Sequence, residues 1–204
     1  MDLGEFCFRA RGYIPVPFAL GMLCMPYRFS LWRPGPSHTA SLSGIIISGL
    51  ACIVLGEWAR IAAVAHSSPS TRTRNVGASR LFSSGPYAYV RNPLYIGNFL
   101  ILTGMMIMSW SGFPWYTAAC FIIFWIEYYM IIRAEEKALL RDLGEQYAVY
   151  KQSVPRILPL LRPYKGAAVQ NPDYIQSLKS EAHSLRTECV LIVLILVRWY
   201  IILT

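Results

Sequence analysis

An all-α, polytopic membrane bundle is the fold class this sequence predicts, and three observations predict it. Hydrophobic residues make up 55% of the 204 and charged residues only 15%, and the mean hydropathy is +0.40, too apolar a mixture for an ordinary soluble domain of this size. Several stretches approach the roughly 20 apolar residues that a hydrocarbon core about 30 Å thick demands of one helix. A chain that crosses lipid must pair its own backbone groups, so the spans are expected to be helices. Four core transmembrane helices and a fifth, C-terminal membrane or interfacial helix are predicted.

The first apolar run, Tyr13 to about Phe29, lacks the basic start and small-residue cleavage site of a signal peptide and contains Pro15, Pro17 and Pro26, so it reads as a retained first span. The second runs from Leu42 to Ala65, with Glu57 and Arg60 three residues apart on one helical face. Such a pair marks an interface or a protein-lined cavity. His66 to Ser84 is predicted as loop, since it holds Pro69, Gly77, Arg72, Arg74 and Arg80 but no apolar periodicity. Leu94 to Trp110 forms the third span and Trp115 to Ile132 the fourth, joined by the tight turn Ser111-Gly112-Phe113-Pro114. That turn is uncharged, whereas Arg72, Arg74, Arg80 and Arg91 precede the third span and Arg133, Lys137, Arg141, Lys151, Arg156, Arg162 and Lys165 follow the fourth. The positive-inside rule puts both basic segments in the cytoplasm.

After Glu135, Leu139, Leu143, Tyr147 and Tyr150 recur at helical spacing and predict a post-membrane helix with one apolar face. Val154-Pro155-Arg156 and Leu158-Pro159 end it, and a polar linker begins at Arg162. The C-terminal segment reads as two halves: a stripe of Ile175, Leu178, Ala182 and Leu185, then the apolar run Val190 to Leu203, short for a perpendicular span. The chain thus divides into 1–84, N-terminal helices and loop; 85–165, a catalytic half; and 166–204, a C-terminal helix, of which the part from Ile175 onward is expected to be dispensable for cofactor binding.

A net charge of +8 would suit nucleic acid, but the basic residues gather beside apolar spans rather than on a face of their own, so anionic lipid headgroups are the expected partners. Cys7, Cys24, Cys52, Cys120 and Cys189 are scattered without a C-x-x-C pair, and His38, His66 and His183 lie far apart, so neither a metal site nor a disulfide frame is expected.

The most informative stretch is Gly85 to Gly97, an aromatic, Arg-bearing loop that runs straight into an apolar segment. Its pattern of Arg91, Pro93, Tyr95 and Gly97, followed by a hydrophobic hairpin and then Glu135-Glu136, resembles the integral membrane methyltransferases, the group of isoprenylcysteine carboxyl methyltransferase and the phospholipid N-methyltransferases. Leu139, Gly144, Tyr147, Tyr150 and Val154-Pro155-Arg156 resemble the tail of the same pattern, so the likeness covers about Gly85 to Pro159. Asn92 departs from the isoprenylcysteine type, which commonly has His there. An amide keeps a donor and an acceptor but cannot become cationic near neutral pH, and this weighs against isoprenylcysteine as the acceptor.

The resemblance implies methyl transfer from S-adenosylmethionine to a lipophilic acceptor that enters from the bilayer. The donor's amino-acid end is zwitterionic. Arg91 offers a fork to its carboxylate, and Glu135 or Glu136 accepts from its ammonium. Tyr87, Tyr89, Tyr95 and Tyr147 offer aromatic faces to the sulfonium and adenine, and Asn92, Pro93 and Gly97 complete the expected cofactor site. Each has a plain competitor. Arg91 serves equally as a positive-inside anchor, Glu135 and Glu136 as a solvated turn paired with Arg133, Lys137 or Arg141, Pro93 as a helix start, Gly97 as a packing position, and the tyrosines as an interfacial belt. Glu127, inside the fourth span, is either functional or held by another helix through Arg60 or Arg91. A carboxylate acceptor needs no base, whereas an amine must first lose a proton, to Glu127, Glu135 or Glu136. The competing functions are a sterol-type membrane reductase using a nicotinamide cofactor, and a scaffold or transport component lined by Glu57, Arg60 and Glu127.

Overall fold

The computed structural model describes residues 15–25, 39–67, 80–167 and 171–203. Arg72, Arg74, His38, Cys7 and the outer parts of the Tyr13–Phe29 run lie outside them. Among the described residues the protein is all helical: α1 (Pro15–Cys24), α2 (Thr39–Ala65), a 3-10 turn (Gly85–Ala88), α3 (Pro93–Ser109), α4 (Trp115–Leu143), α5 (Glu145–Ser153) and α6 (Tyr174–Leu203). By length and composition, α2 over Leu42–Ala65 and α4 over Trp115–Leu143 suffice to cross a membrane, and α3 is a shorter apolar helix.

Helices α2 and α3 pack against each other through glycines. Gly49 and Gly56 on one face Gly104 and Gly97 on the other, and a Cβ added at Gly49, Gly56 or Gly97 would come 2.7 Å from the opposing carbonyl oxygen. Only residues without side chains allow this approach of two backbones, the small-residue packing that replaces hydrophobic drive between lipid-embedded helices. Toward α4, by contrast, α3 meets its neighbour through rings: Phe99 lies 5.5 Å from Phe121, 5.7 Å from Phe124 and 5.4 Å from Trp125, centroid to centroid.

Pro93 opens α3, where a fixed φ suits the first turn. The expected break near Ile132 does not occur. α4 continues through both glutamates to Leu143 and stops at Gly144, whose φ of +53° a side chain would oppose. The predicted post-membrane helix is therefore the last turns of α4 plus the separate α5. Its apolar face is nevertheless real, because Leu139 and Leu143 pack with Tyr147, Tyr150 and Val154.

The C-terminal segment is one helix rather than two halves, and its buried face is not the apolar stripe. Ile175 and Leu178 are 71% and 48% exposed, while Ser177, Glu181 and Glu188 are buried. Those polar residues face α2: Ser177 Oγ donates to the Ile61 carbonyl at 2.8 Å, and Arg60 Nη2 donates to Glu181 at 2.6 Å while Nη1 lies 3.4 Å from both Glu57 and Glu188. Farther along, Arg198 donates to the Ser109 and Met25 carbonyls at 2.8 and 2.9 Å, and Trp199 Nε1 to Met108 at 2.7 Å. Helix α6 thus begins beside Ala65, the end of α2, and reaches the opposite end of the bundle, where its guanidinium satisfies terminal carbonyls of α3 and of the α1 end.

Candidate functional site

The end of the bundle where α2 and α4 finish and α3 and α6 start is closed by a strap. Residues 88–91 lie alongside 155–164, joined by backbone hydrogen bonds from Arg91 N to Pro155 O at 2.9 Å, Leu160 N to Tyr89 O at 2.9 Å and Tyr164 N to Ala88 O at 2.8 Å. Tyr150 Oη donates to the Tyr87 carbonyl at 2.8 Å. Asn92 Nδ2 donates to the Arg156 carbonyl at 3.0 Å, while the Asn92 carbonyl receives Tyr95 N and Ile96 N at the start of α3. A cationic ring is not needed for that work; an amide donor suffices.

Glu136 is the charged centre under this strap. Arg91 donates to its Oε1 from Nε at 3.1 Å and Nη2 at 2.9 Å, and Arg156 donates to Oε1 at 3.1 Å and Oε2 at 2.7 Å, with Lys151 Nζ at 3.6 Å. Three cations meet one carboxylate, an excess of positive charge. Arg91 is only 9% exposed in its side chain, and its Nη1 donates to the Lys151 and Val154 carbonyls at 2.6 and 2.5 Å. Its fork, expected to receive a ligand carboxylate, is filled from within the protein. Arg156 differs, since 33% of its side chain stays exposed. The Glu136 carboxylate holds the Arg156 guanidinium above its ordinary pKa, so its charge is permanent.

The structure brings Arg91 and Glu136 together from positions 45 residues apart, instead of pairing Glu136 locally. Arg133 contacts Tyr129 and Arg141 contacts Asp142. Glu135 is half-buried beside the junction. Pro93 is buried at the head of α3, Gly97 lies against Gly56 and Arg60, and Tyr95 packs edge-on to Tyr128, centroids 4.8 Å apart, and against Ile131. Tyr147 is buried with Tyr150 rather than at the rim; burial first, and the neighbouring Glu136 second, push its phenol well above the usual range and keep it neutral. Tyr87 is half-buried and Tyr89 more exposed. Glu127 is buried inside α4 at 6% exposure, with neither the expected Arg60 nor Arg91 beside it, since those two pair with other glutamates.

Two groups escaped the sequence reading. The sequence places Arg156 in the motif tail, two residues past Val154, and that position is the available signal for its pairing with Glu136. The α6 acids that hold Arg60 gave none, because their period carries no apolar mark.

Comparison with known proteins gives a consistent picture. The phospholipid methyltransferase family matches residues 45–146, half of the chain. Similar curated proteins include protein-S-isoprenylcysteine O-methyltransferase of Tribolium castaneum, 30% identical over 65% of this chain and 47% of its own length, and that of Homo sapiens, 27% identical over 61% and 44%. Methanethiol S-methyltransferase of Crocosphaera subtropica is 34% identical over 37% of this chain and 28% of its own. The chain spans about half the length of the isoprenylcysteine O-methyltransferases it matches. No solved structure matches it.

Proposed function

Because the chain belongs to the phospholipid methyltransferase family, we propose that it transfers a methyl group from S-adenosylmethionine to a lipophilic acceptor at the cytoplasmic face of a membrane. The observation that carries this reading is the junction of Arg91, Arg156 and Lys151 on the single carboxylate of Glu136. It gathers the R-x-P-x-Y-x-G loop, the double glutamate and the motif tail into one rim. In the membrane, α2, α3, α4 and α6 are the crossing helices. The end that bears Arg80, Arg91, Arg133, Lys151, Arg156 and Arg162 faces the cytoplasm, and the uncharged turn at 111–114 faces away.

The residues present fit a zwitterionic donor. Glu136 is saturated, so the excess positive charge is left to Arg156, whose exposed part meets a carboxylate, and to Lys151; half-buried Glu135 accepts from an ammonium. Arg91 positions the rim rather than touching ligand. When bound, the sulfonium supplies a methyl group whose leaving group is already good, so the chain's tasks are alignment and exclusion of water. The strap of residues 155–164 covers the polar side. A greasy acceptor enters laterally between α3 and α4, where side chains rather than backbones fill the contact and are able to move aside.

Radiolabelled S-adenosylmethionine binding to detergent-purified protein tests the reading. Saturable binding by the wild type is expected, weakened about tenfold or more in Arg156→Ala, the scale of a lost charge-assisted pair. Absence of binding to a folded wild type overturns the proposal. Incubation with labelled donor and a total lipid extract then identifies the acceptor by the lipid that gains label.

A further inference from the structure

Two sets of buried carboxylates lie away from the rim, and they differ in kind. Between α2 and α6, Glu57, Glu181 and Glu188 are buried around the Arg60 guanidinium, whose Nη2 lies 2.6 Å from Glu181 and whose Nη1 lies 3.4 Å from Glu57 and Glu188. That cluster has a cation built in, Arg60. Glu127 has the opposite character. It is 6% exposed and makes no hydrogen bond or ion pair among the described residues. It shares the inward face of α4 with Cys120, Phe124 and Ile131, all buried. One turn toward the rim, Tyr95 of α3 packs on Ile131, and one turn away Phe99 of α3 lies 5.7 Å from Phe124. Glu136 is nine residues farther on, roughly 13 Å along the axis.

A carboxylate at that depth with no partner among the described residues is costly to keep, and such groups mark the path or the counter-ion of a charged ligand. The rim binds a polar molecule, whereas this position lies where the lipophilic one must reach. We propose that Glu127 is the counter-ion for a cationic head on the methyl acceptor, which makes that acceptor a long-chain amine. This rests on the methyl-transfer reading for the word acceptor, but the site itself stands on the geometry of α4. A carboxylate acceptor meets like charge there, and the site discriminates against it by repulsion. Aromatic rings on the flanking layers suit a cation in addition. For a protonated amine, Glu127 also takes one N–H proton: the carboxylate becomes a carboxyl, the bonding pair stays on nitrogen, and the nitrogen becomes a nucleophile.

The test measures binding of tritiated dodecylamine to the full chain in a nonionic detergent by scintillation proximity, with unlabelled dodecanol and laurate as competitors, beside S-adenosylmethionine binding on the same samples. The proposal expects saturable amine binding by the wild type, resisted by both competitors, weakened on the order of tenfold or more in Glu127→Gln and partly kept in Glu127→Asp, with donor binding equal in all three. Wild type and Glu127→Gln binding the amine alike, or no saturable amine binding, overturns it. So does simultaneous loss of amine and donor in Glu127→Gln, which marks a structural role. Amine binding that depends on Glu127 while no form binds the donor leaves this site standing and overturns the methyl-transfer reading instead.

Discussion

Replacing Glu136 by Ala separates what holds the rim together from what the rim holds. The substitution strips Arg91, 9% exposed in its side chain, and Arg156, 33% exposed, of their shared carboxylate. Breaking a buried pair by removing one partner costs about 3–5 kcal/mol, because the survivor is left charged and unpaired. The low end applies, since Arg91 retains the Lys151 and Val154 carbonyls and Arg156 can turn toward water. In a chain of this size each kcal/mol moves the unfolding midpoint by about 2–4 °C, so Glu136→Ala should melt roughly 6–12 °C below the wild type. Arg156→Ala removes a partly solvated partner, worth at most about 1 kcal/mol, and should melt only about 2–4 °C lower while losing donor binding. Thermal unfolding of the detergent-purified variants, followed by intrinsic fluorescence, gives the midpoints. Glu136→Ala within about 2 °C of wild type, or Arg156→Ala melting below it, refutes the division of labour between a structural Arg91 and a ligand-facing Arg156.

Two further outcomes follow from the packing. Gly97→Ala places a methyl 2.7 Å from the Gly56 carbonyl and 2.6 Å from Arg60 Cγ, so overpacking should cost about 1–3 kcal/mol; Gly44→Ala, with nothing within 4 Å, should leave the same melting midpoint unchanged or slightly raised. Truncation before Tyr174 leaves Arg60 with Glu57 alone and the Ser109 and Met25 carbonyls without Arg198. The Arg60 loss by itself is worth about 3–5 kcal/mol, so the expectation that this segment is dispensable is replaced by one of aggregation on size exclusion. A monodisperse truncated protein that binds the donor normally would show that α6 is an accessory.

How far the sequence carried depended on where each residue's partner sits. Spans α2, α3 and α4 were legible because hydropathy needs no partner: Leu42–Ala65 emerged with the same limits, and Pro93, Trp110 and Gly144 act through local backbone. The α4 stop was misplaced because charge at Arg133 was read as the end of a helix, whereas a helix leaves the membrane without ending; only Gly144 breaks it. That Glu136 meets the Arg91 loop was legible, but not its full set of partners. Arg133, Lys137 and Arg141 are as near to Glu136 in sequence as any ion pair requires, and the chain instead joins it to Arg91 and Arg156, 45 and 20 residues away.

The first half of α6 inverts the periodicity rule, whereas farther along apolar Ile195 and Trp199 are buried in the core. Of the stripe Ile175, Leu178, Ala182 and Leu185, the first two are exposed and the last two half-buried, because α2 offers this face the Ile61 carbonyl to Ser177 and Arg60 to Glu181 and Glu188, so the serine and glutamate face turns in. An inward polar face with an outward apolar one is what lipid as the surrounding solvent permits and water does not. The same inversion distinguishes Glu127. The polar face of α6 meets a cation of α2, Arg60 Nη2 lying 2.6 Å from Glu181, while Glu127 meets no charged or hydrogen-bonding partner among the described residues, and that contrast within one bundle is the reason to look for its partner outside the protein.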